Sequence, residues 1–285
     1  MKTIAFIGVG VMGKSMVKNL SQAGYPVTIY TRTKSKVEDI IDDQIKWSDS
    51  IKECVKDKDV VMTMVGYPQD VENIYYGENG ILENAKKSAI LIDFTTSSPA
   101  LAQKIYEDAK KYKLRSLDAP VSGGDIGAKN GTLSIMVGGD KEAYQDALTL
   151  FKVLGKTIHY VGNAGLGQHT KMANQIVIAG TIAGVVEAIH YAKTVQLDTL
   201  TMMDCISQGA AKSWQLENNG QAILNNNFQP GFYIKHFIKD MKIAQKEMSD
   251  FNIDLETLNT VLKMYETLNE DELGTQALIH YYEGN

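Results

Sequence analysis

The sequence predicts an α/β domain built on a doubly wound, mostly parallel sheet, followed by an all-α domain that is entered through a long helix. Three observations predict this arrangement. Short apolar runs alternate with helix-like segments in the first half of the chain, a pattern typical of a parallel sheet with crossover helices. A glycine-rich turn joins the first such run to a helix. From Gly162 onward helical periodicity replaces the strand-like runs, so we predict domains over residues 1–162 and 163–285.

The first turn of the chain carries a glycine motif. The apolar run Thr3–Ile7 leads into Gly8-Val9-Gly10-Val11-Met12-Gly13, and a helical pattern follows. This is G-x-G-x-x-G between a strand and a helix, the context in which the pattern indicates dinucleotide binding in a Rossmann fold. Gly8 allows the tight turn, Gly10 lets a pyrophosphate approach the backbone, and Gly13 allows close helix–strand packing. The free N–H groups of the new helix favour the anion, so the whole turn, with Val11 and Met12, is predicted to bind the cofactor.

The residues after the second predicted strand, Val27–Tyr30, indicate which dinucleotide binds. An NAD site usually has Asp or Glu there to hold the ribose 2′-OH, but the chain reads Thr31-Arg32-Thr33 and has no carboxylate before Glu38. Arg32 can form a bidentate pair with a 2′-phosphate, and Thr31 and Thr33 can donate to it. We therefore predict that NADP(H) is preferred, with NAD(H) as the second candidate. The alternative interpretation is a solvated basic loop.

Five further apolar runs complete the predicted sheet. Ligands of such sheets bind beyond the carboxyl ends of the strands. Met64, Val65 and Thr96 stand at or just past such ends, so we predict that they contact the cofactor. The runs are Asp59–Val65, Ser88–Phe94, Leu114–Asp118, Thr132–Val137 and Thr157–Val161.

Two helices of the first domain have recognisable first turns. Ser98 is a suitable N-cap and Pro99 a suitable first residue for a helix that reaches Lys111. Asp140 can cap a helix that runs to about Leu154. Both helices fit the crossover connections that a parallel sheet needs.

The second half is predicted to be wholly helical. A proline-free segment from Gly167 to Thr194 predicts one long helix, on which Gly180 and Gly184 lie one turn apart. These glycines suggest close approach of another helix, from this chain or from a partner, so we expect a homodimer or homotetramer. Further helices are predicted over Leu197–Gly209, Phe232–Phe251, Leu255–Leu268 and Glu272–Tyr282.

Composition narrows the class of protein. A net charge of −5 argues against a nucleic-acid-binding surface. Cys54 and Cys205 lack metal or redox spacing, so we predict free thiols and no metal site. We expect no run to approach the roughly 18 apolar residues that a membrane span needs, and therefore no membrane contact and a cytoplasmic location.

Three further stretches carry candidate chemistry. Ser122-Gly123-Gly124 follows a strand and could cradle a carboxylate with backbone N–H groups, although such a sequence by itself more often marks a turn. Lys171 and Asn174 are three apart on the long helix and share a face. A partly desolvated lysine can act as a general acid or base, but a single lysine on a helix is usually solvated.

The third stretch is Lys239-Asp240 with Phe232. Phe232 and Lys239 are seven apart in a predicted helix and would share a face. Lys239 could then approach cofactor or substrate. The alternative is an amphipathic helix with exposed charges.

Taken together and in this order, the motifs resemble those of the β-hydroxyacid dehydrogenase family. The family includes 3-hydroxyisobutyrate dehydrogenase, tartronate semialdehyde reductase and the glyoxylate/succinic semialdehyde reductases. The resemblance covers nearly the whole chain and implies an NADP-binding Rossmann domain, a long linking helix and a helical domain. The matching pieces are Phe6–Gly13, Asp93–Thr96, Asp118–Gly124, Gly165-x-Gly167-x-x-x-Lys171-x-x-Asn174 and Lys239-Asp240.

The resemblance implies roles for individual residues toward the substrate, a small carboxylate-bearing aldehyde or hydroxyacid. Ser122, Gly123 and Gly124 would hold its carboxylate. Lys171 would be the catalytic acid/base, and Asn174 would orient the substrate. The implied reaction interconverts a small β-hydroxyacid and its semialdehyde by hydride transfer.

The resemblance also implies cofactor contacts from Thr96 and Lys239, with Phe232 lining the region of the substrate. Gln175 stands where the hydroxyisobutyrate enzymes tend to have a second Asn, which together with Arg32 favours the NADP-dependent semialdehyde-reductase branch. Two alternatives stay open. One is a non-catalytic NADP-binding sensor or interaction protein on the same fold. The other is an imine reductase-like enzyme, which generally lacks the lysine.

Overall fold

The computed structural model describes residues 1–284. Contacts divide the chain into two compact units, Met1–Lys171 and a second that begins at Met172. The predicted boundary after residue 162 coincides with the end of the last strand, and the predicted second domain extends to Asn285, which lies outside the described residues. The assignment of cofactor binding to residues 1–162, and of substrate binding and oligomerisation to residues 163–285, stays a prediction.

The first unit is built on a nine-stranded sheet. Its first six strands follow the order β3-β2-β1-β4-β5-β6 and are all parallel, the order typical of dinucleotide-binding domains. β8 pairs antiparallel with β6 and β7 and parallel with β9. The predicted doubly wound, mostly parallel sheet is therefore confirmed. The strands are β1 Ile4–Ile7, β2 Val27–Tyr30, β3 Ile45–Trp47, β4 Val60–Thr63, β5 Ile90–Asp93, β6 Arg115–Asp118, β7 Val121–Ser122, β8 Leu133–Gly139 and β9 Gly155–Gly162.

Five neighbouring parallel strands end in register. Ile7 of β1 pairs with Tyr30 of β2 on one side and with Thr63 of β4 on the other. Thr63 pairs in turn with Asp93 of β5, and Asp93 with Asp118 of β6. The segments that follow these strands therefore start along one edge of the sheet, where ligands of this fold bind.

Both faces of the sheet are covered, which explains why its strands read as continuous apolar runs. Successive residues of β1 alternate between two cores: Phe6 packs in the cluster with Phe94 and Phe151, and Ile7 in the cluster with Leu91 and Tyr75. All four residues of β1, β4 and β5 are buried.

The predicted helix starts in the first unit are confirmed. Ser98 Oγ accepts a hydrogen bond from the Leu101 N–H at 3.2 Å, and Asp140 Oδ1 accepts from the N–H groups of Glu142 and Ala143. Sequence reasoning missed β3, β7, α2, α4 and α6, which are all seven residues or shorter. The helices of this unit are α1 Val11–Gln22, α2 Ile51–Val55, α3 Pro68–Tyr76, α4 Ile81–Asn84, α5 Pro99–Lys111, α6 Gly124–Asn130 and α7 Lys141–Leu154.

One long helix, α8, spans Leu166–Thr194, as predicted. It is long and apolar enough to cross a membrane by length and composition alone, with a mean hydropathy of 1.5 over its best window, 44% of which is buried. The expectation that no run is this apolar was therefore wrong for α8. Core helices pass the same test, and Ala179, Ile182, Val186 and Ile189 of α8 lie in the core of the second unit.

The rest of the second unit is helical, as predicted. At Gly180 and Gly184 of α8, no other helix approaches closely among the described residues. A Cβ added at Gly180 would lie 3.8 Å from Thr257, an ordinary van der Waals distance, and a Cβ added at Gly184 would meet no described atom within 4 Å. Self-association through this part of α8 stays a prediction. The segments are α9 Thr199–Ser207, a π-helical segment Gln215–Gly220, α10 Gln221–Leu224, α11 Ile234–Ser249, α12 Glu256–Leu268, a 3-10 helix Thr275–Ile279 and α13 His280–Glu283.

One helix boundary corrects the sequence prediction. α11 begins at Ile234, so Phe232 precedes it and the helical spacing between Phe232 and Lys239 does not apply. The reason is backbone pairing: the Phe232 carbonyl accepts from the Thr275 N–H at 3.1 Å, and the Ile234 N–H donates to the Leu273 carbonyl at 2.9 Å. This pairing, an antiparallel bridge between Tyr233 and Gly274, accounts for the later start of the helix.

Candidate active site

The turn between β1 and α1 has the geometry that its glycines predict. Gly8 has a φ of +91°, and a Cβ there would lie 2.2 Å from the Met64 carbonyl oxygen. A Cβ at Gly13 would lie 2.2 Å from the Gly8 carbonyl oxygen. A Cβ at Gly10, by contrast, would meet nothing within 4 Å. Open space therefore lies over the backbone at Gly10, directly before α1, and the turn fits a dinucleotide pyrophosphate.

The segment after β2 presents its basic group to solvent. Arg32 has an 87% exposed side chain, and its Nη1 lies 3.8 Å from Asp70 Oδ1. At that distance and exposure the ion pair is weak, so the guanidinium is available to a ligand. Asp70 is itself held by the Tyr67 N–H, which donates to its Oδ2 at 3.2 Å.

Buried polar groups connect the segments that follow β4 and β5. Asp93 Oδ1 accepts hydrogen bonds from Thr63 Oγ1 at 2.7 Å and from the Thr95 N–H at 3.1 Å. Thr95 Oγ1 in turn accepts from the Val65 N–H at 3.0 Å. These bonds fix the two segments that contain the predicted cofactor residues Met64, Val65 and Thr96.

Gln168, in the first turn of α8, connects this network to the long helix. Its side chain is fully buried. Its Nε2 donates to the Thr95 carbonyl at 2.7 Å, and its Oε1 accepts from the Ser97 N–H at 2.9 Å. Thr96 therefore lies between Thr95 and Ser97, whose backbone groups both hydrogen-bond to the side-chain amide of Gln168.

Asp118, the last residue of β6, binds the start of α8. Its Oδ1 accepts from the Gly165 N–H at 2.8 Å and its Oδ2 from the Gln168 N–H at 2.9 Å. Burial raises the pKa of Asp118 to about 6, against the lowering effect of these two hydrogen bonds. A Cβ at Gly138 or Gly167 would lie 2.7 Å from one of its carboxylate oxygens, so the fit around this carboxylate is close.

The predicted carboxylate cradle forms the turn between β7 and α6. Gly123 and Gly124 have φ values of +127° and +62°, which favour glycine. Ser122 ends β7, and Gly123 is the N-cap of α6. The turn therefore has glycine at the two positions whose backbone conformation favours it.

Lys171 and Asn174 lie on α8, one turn apart. Lys171 is only 6% exposed, whereas Asn174 is half-buried. The first turn of α8, with its bonds to Asp118, comes directly before Lys171. Lys171 is therefore largely withdrawn from water, and its catalytic role stays a prediction.

A second buried polar network belongs to the second unit. Gln175 is fully buried, and its Nε2 donates to Asp240 Oδ2 at 2.7 Å. Its Oε1 accepts from Asn174 Nδ2 at 2.7 Å. Lys239 Nζ lies 3.0 Å from Asp240 Oδ1 in an ion pair. Asn174 and Lys239 are thus linked through Gln175 and Asp240.

Phe232, the remaining predicted site residue, packs into the apolar core of the second unit. Its ring centroid lies 5.8 Å from that of Phe237, and the side chain is half-buried. This packing accounts for Phe232 without a ligand. Its predicted role beside the substrate stays a prediction.

Sequence reasoning missed Thr63 and Gln168, which help to organise these networks, and it named Asp240 only as part of a motif, without a role. Each is a buried polar side chain. Thr63 carried a signal, because it interrupts the apolar run Val60–Val65 at the end of a strand. Gln168 carried none, since a glutamine near a helix start has no distinctive spacing. Among residues 1–284, no group of three or more His, Cys, Asp or Glu side chains could hold a metal ion.

Two family models match the chain and together span almost all of it. Residues 3–162 match the model of the NAD binding domain of 6-phosphogluconate dehydrogenase. Residues 165–282 match the model described as NAD-binding of NADP-dependent 3-hydroxyisobutyrate dehydrogenase. The chain belongs to the β-hydroxyacid dehydrogenase family.

Relatives from several organisms agree with this β-hydroxyacid dehydrogenase assignment. An uncharacterized oxidoreductase of Bacillus subtilis is 52% identical over 97% of both chains. A probable 3-hydroxyisobutyrate dehydrogenase-like mitochondrial protein of Arabidopsis thaliana is 42% identical over 97% of this chain and 84% of its own length. The 2-hydroxy-3-oxopropionate reductase of Escherichia coli is 32% identical over 93% of this chain and 90% of its own.

Among solved structures, 3-hydroxyisobutyrate dehydrogenase of Mycobacterium tuberculosis with L-serine has a TM-score of 0.91, 29% identity and 98% coverage of both chains. As a β-hydroxyacid dehydrogenase, the protein is a nicotinamide-dependent oxidoreductase of the 3-hydroxyisobutyrate dehydrogenase type. The open space at Gly10 and the bonded segments after β4 and β5 fit that cofactor.

Proposed function

We propose that the protein is an NADP-dependent oxidoreductase that interconverts a small β-hydroxyacid and its semialdehyde, with Lys171 as the acid/base. The observation that carries this proposal is the burial of Lys171. Such burial is rare for a lysine, and a partly desolvated lysine can act as a general acid or base. Its place directly after the turn of α8 that Asp118 and Gln168 hold supports a fixed catalytic position.

The roles of the chain's own residues follow from their chemistry. The nicotinamide, when bound, supplies or accepts the hydride. In reduction, Lys171 Nζ donates a proton to the carbonyl oxygen of the substrate. In oxidation, the neutral amine accepts the proton of the hydroxyl group. Ser122, Gly123 and Gly124 hold the carboxylate, and Asn174 orients the substrate.

Preference for NADP(H) is part of the same proposal. The exposed guanidinium of Arg32 supports it, because a planar, always charged group can bind a phosphate with two parallel hydrogen bonds. Thr31 and Thr33 flank Arg32 and can donate to the same phosphate. The description of the model matched by residues 165–282, which names an NADP-dependent enzyme, also supports it.

The test is a set of initial rates with both cofactors. NADPH and NADH oxidation are measured with glyoxylate, succinic semialdehyde, tartronate semialdehyde and methylmalonate semialdehyde. The reverse reaction is measured with 3-hydroxyisobutyrate and L-serine, the compound present with the Mycobacterium tuberculosis relative. Rapid NADPH-dependent turnover of one aldehyde is expected, and faster NADH oxidation would overturn the cofactor preference. Cofactor binding without turnover of any of these compounds would favour a non-catalytic NADP-binding protein.

A further inference from the structure

Gln175 is fully buried and lies between the carboxylate of Asp240 and the side-chain amide of Asn174, which is half-buried. On one side its Nε2 donates to Asp240 Oδ2 at 2.7 Å, and on the other its Oε1 accepts from Asn174 Nδ2 at 2.7 Å. Asp240 is 1% exposed. The three side chains therefore form a chain of hydrogen bonds that starts in the core and ends at half-buried Asn174.

The direction of this chain of hydrogen bonds is set by Asp240. An ionised carboxylate can only accept hydrogen bonds, and Asp240 Oδ1 lies 3.0 Å from Lys239 Nζ in an ion pair. Gln175 must therefore turn its NH₂ group toward Asp240, which leaves its Oε1 facing Asn174. Asn174 must then turn its own NH₂ group toward Gln175. The amide assignments follow from the network itself.

The reverse orientation of either amide is costly. Turning Gln175 over would place its Oε1 against the carboxylate of Asp240, and turning Asn174 over would place two amide oxygens together. Each arrangement leaves buried polar atoms without a partner, which costs more than an ordinary hydrogen bond gains. The Asn174 amide is therefore locked.

We propose that Gln175 is a positioning residue that locks the Asn174 side chain so that Oδ1 is the atom presented to the substrate. The inference rests on the proposed function, in which Asn174 orients the substrate. The carbonyl and amino groups of an amide lie on opposite sides of its carbon, so Oδ1 is directed away from Gln175. Asn174 then selects substrates that carry a hydrogen-bond donor, such as the hydroxyl group of a hydroxyacid.

Three substitutions at position 175 test this. Gln175→Met keeps the length of the side chain but removes both hydrogen bonds, and we expect kcat/KM for the hydroxyacid to fall about 10-fold. Gln175→Asn is shorter and cannot span both partners, so it should lose activity similarly. Gln245→Met is the matched control, since Gln245 donates to Asn259 Oδ1 at 2.7 Å on the exposed surface of the same unit. This control should leave kcat/KM unchanged.

Gln175→Glu separates a positioning role from a packing role. A protonated acid at 175 can donate to Asp240 and still accept from Asn174, so the variant should approach wild-type activity at low pH. Two neighbouring carboxylates resist losing the last shared proton. As the pH rises and that proton leaves, the activity relative to wild type should fall. Lys239 and His236 are titratable groups near Asp240. They are identical in the wild type and in Gln175→Glu, so the ratio of the two activities reports the new pair of carboxyl groups.

A second readout does not depend on turnover. Selective ¹⁵N labelling of asparagine gives a side-chain NH₂ signal for Asn174, identified by its loss in Asn174→Asp. One proton of that signal should exchange slowly with solvent in the wild type and in Gln175→Glu, and rapidly in Gln175→Met and Gln175→Asn.

The two readouts distinguish failure of the inference from failure of the proposed function. Slow exchange in Gln175→Met, or kcat/KM within twofold of wild type in both Gln175→Met and Gln175→Asn, would overturn the inference. If the wild type turns over none of the test compounds, the proposed function fails, and the exchange data still decide whether Gln175 locks Asn174. If Gln175→Met does not fold, the Gln175→Asn and Gln175→Glu proteins carry the same comparison.

Discussion

Asp118 Oδ2 accepts a hydrogen bond from the backbone N–H of Gln168 at 2.9 Å. This single contact joins the end of β6 to the first turn of α8, one turn before Lys171. Together with the bond from Gly165 to the other carboxylate oxygen, it satisfies two N–H groups that a helix start leaves without intrahelical partners. The position of Lys171 is therefore set by a strand end rather than by the helix alone.

Replacing Asp118 by Asn should destabilise the protein. The amide keeps one acceptor and turns a donor toward a backbone N–H, so one buried N–H loses its partner. We expect a loss of about 2 kcal/mol in the free energy of unfolding, measured by chemical denaturation at pH 7. An unchanged free energy of unfolding would mean that the two N–H bonds contribute nothing net.

The same carboxyl gives the stability a pH dependence of known sign. Its folded pKa of about 6 lies above the ordinary value of 3.8, so between these values the folded state binds more protons than the unfolded state. The stability contributed by this group is fully present below pH ~4 and is lost as the pH rises through about 6. The difference in stability between wild type and Asp118→Asn should therefore change over this window, and a constant difference would contradict the raised pKa.

Gln168→Leu should weaken both folding and cofactor binding. The substitution leaves the Ser97 N–H and the Thr95 carbonyl buried without a partner, at a cost of about 3 kcal/mol together. Because Thr96 lies between them, the affinity for NADPH, measured by fluorescence titration, should fall as well. Gln69→Leu is the control, since Gln69 donates to Glu72 and Asn73 in hydrogen bonds on the exposed surface, and it should change neither quantity.

Replacing Gly10 or Gly8 of the first turn by alanine should have opposite effects on stability. Gly10→Ala meets no atom within 4 Å, so stability should hold or rise by about 0.5 kcal/mol. Its methyl group takes the space above the backbone, so NADPH affinity should drop about 10-fold or more. Gly8→Ala should instead destabilise by about 2 kcal/mol, because φ is +91° and the Met64 carbonyl is in the way. Normal NADPH affinity in folded Gly10→Ala would contradict the proposed pyrophosphate position.

Arg32→Leu should alter the cofactor preference and little else. Loss of charge-assisted bonds to a 2′-phosphate should raise the KM for NADPH about 10-fold or more and leave the KM for NADH nearly unchanged. Arg115→Leu removes the other arginine, which pairs with Asp146, and should affect neither. Equal effects of Arg32→Leu on both cofactors would show that Arg32 does not recognise the 2′-phosphate.

Lys171→Met should remove catalysis while leaving the fold and the cofactor site in place. Loss of general acid–base catalysis lowers kcat about 100-fold or more, and methionine suits the buried position. Lys193→Met, near the other end of α8, removes an exposed lysine that pairs with Glu283 and should keep full activity. Near-normal kcat in Lys171→Met would remove Lys171 from the mechanism.

Regular periodicity made most of the fold predictable. The glycine turn, the four-residue strand β2, the caps at Ser98 and Asp140 and the length of α8 all follow from local patterns that match their structure. Short elements such as β3 and α6 were missed because they span too few residues for a period to show. Phe232 was placed on a helix because its spacing from Lys239 fits one, but pairing with a segment about forty residues later along the sequence decides its conformation.

The candidate site was predictable where a residue type has one obvious chemical use. The glycines and Arg32 could be singled out for that reason, whereas Lys171 was singled out through the resemblance of its motif to that of a family. Asp118 was visible as a strand end, but its hydrogen bonds to Gly165 and Gln168 were not, because hydrogen bonds across about fifty residues leave no local pattern. Gln175 was noticed only as a departure from relatives, and its role depends on a bond to Asp240 that the sequence does not encode by spacing.

The five strand ends that stop in register have a consequence for how such a protein can diversify. Each end is paired with its neighbours, so the chain leaves the sheet at the same place whatever residues come next. The segment after β2 can be exchanged to suit a different cofactor without moving those after β4, β5 or β6. New substrate preferences can thus arise by replacing one loop at a time, and a designer who grafts loops onto this sheet needs to preserve only the four residues of each strand.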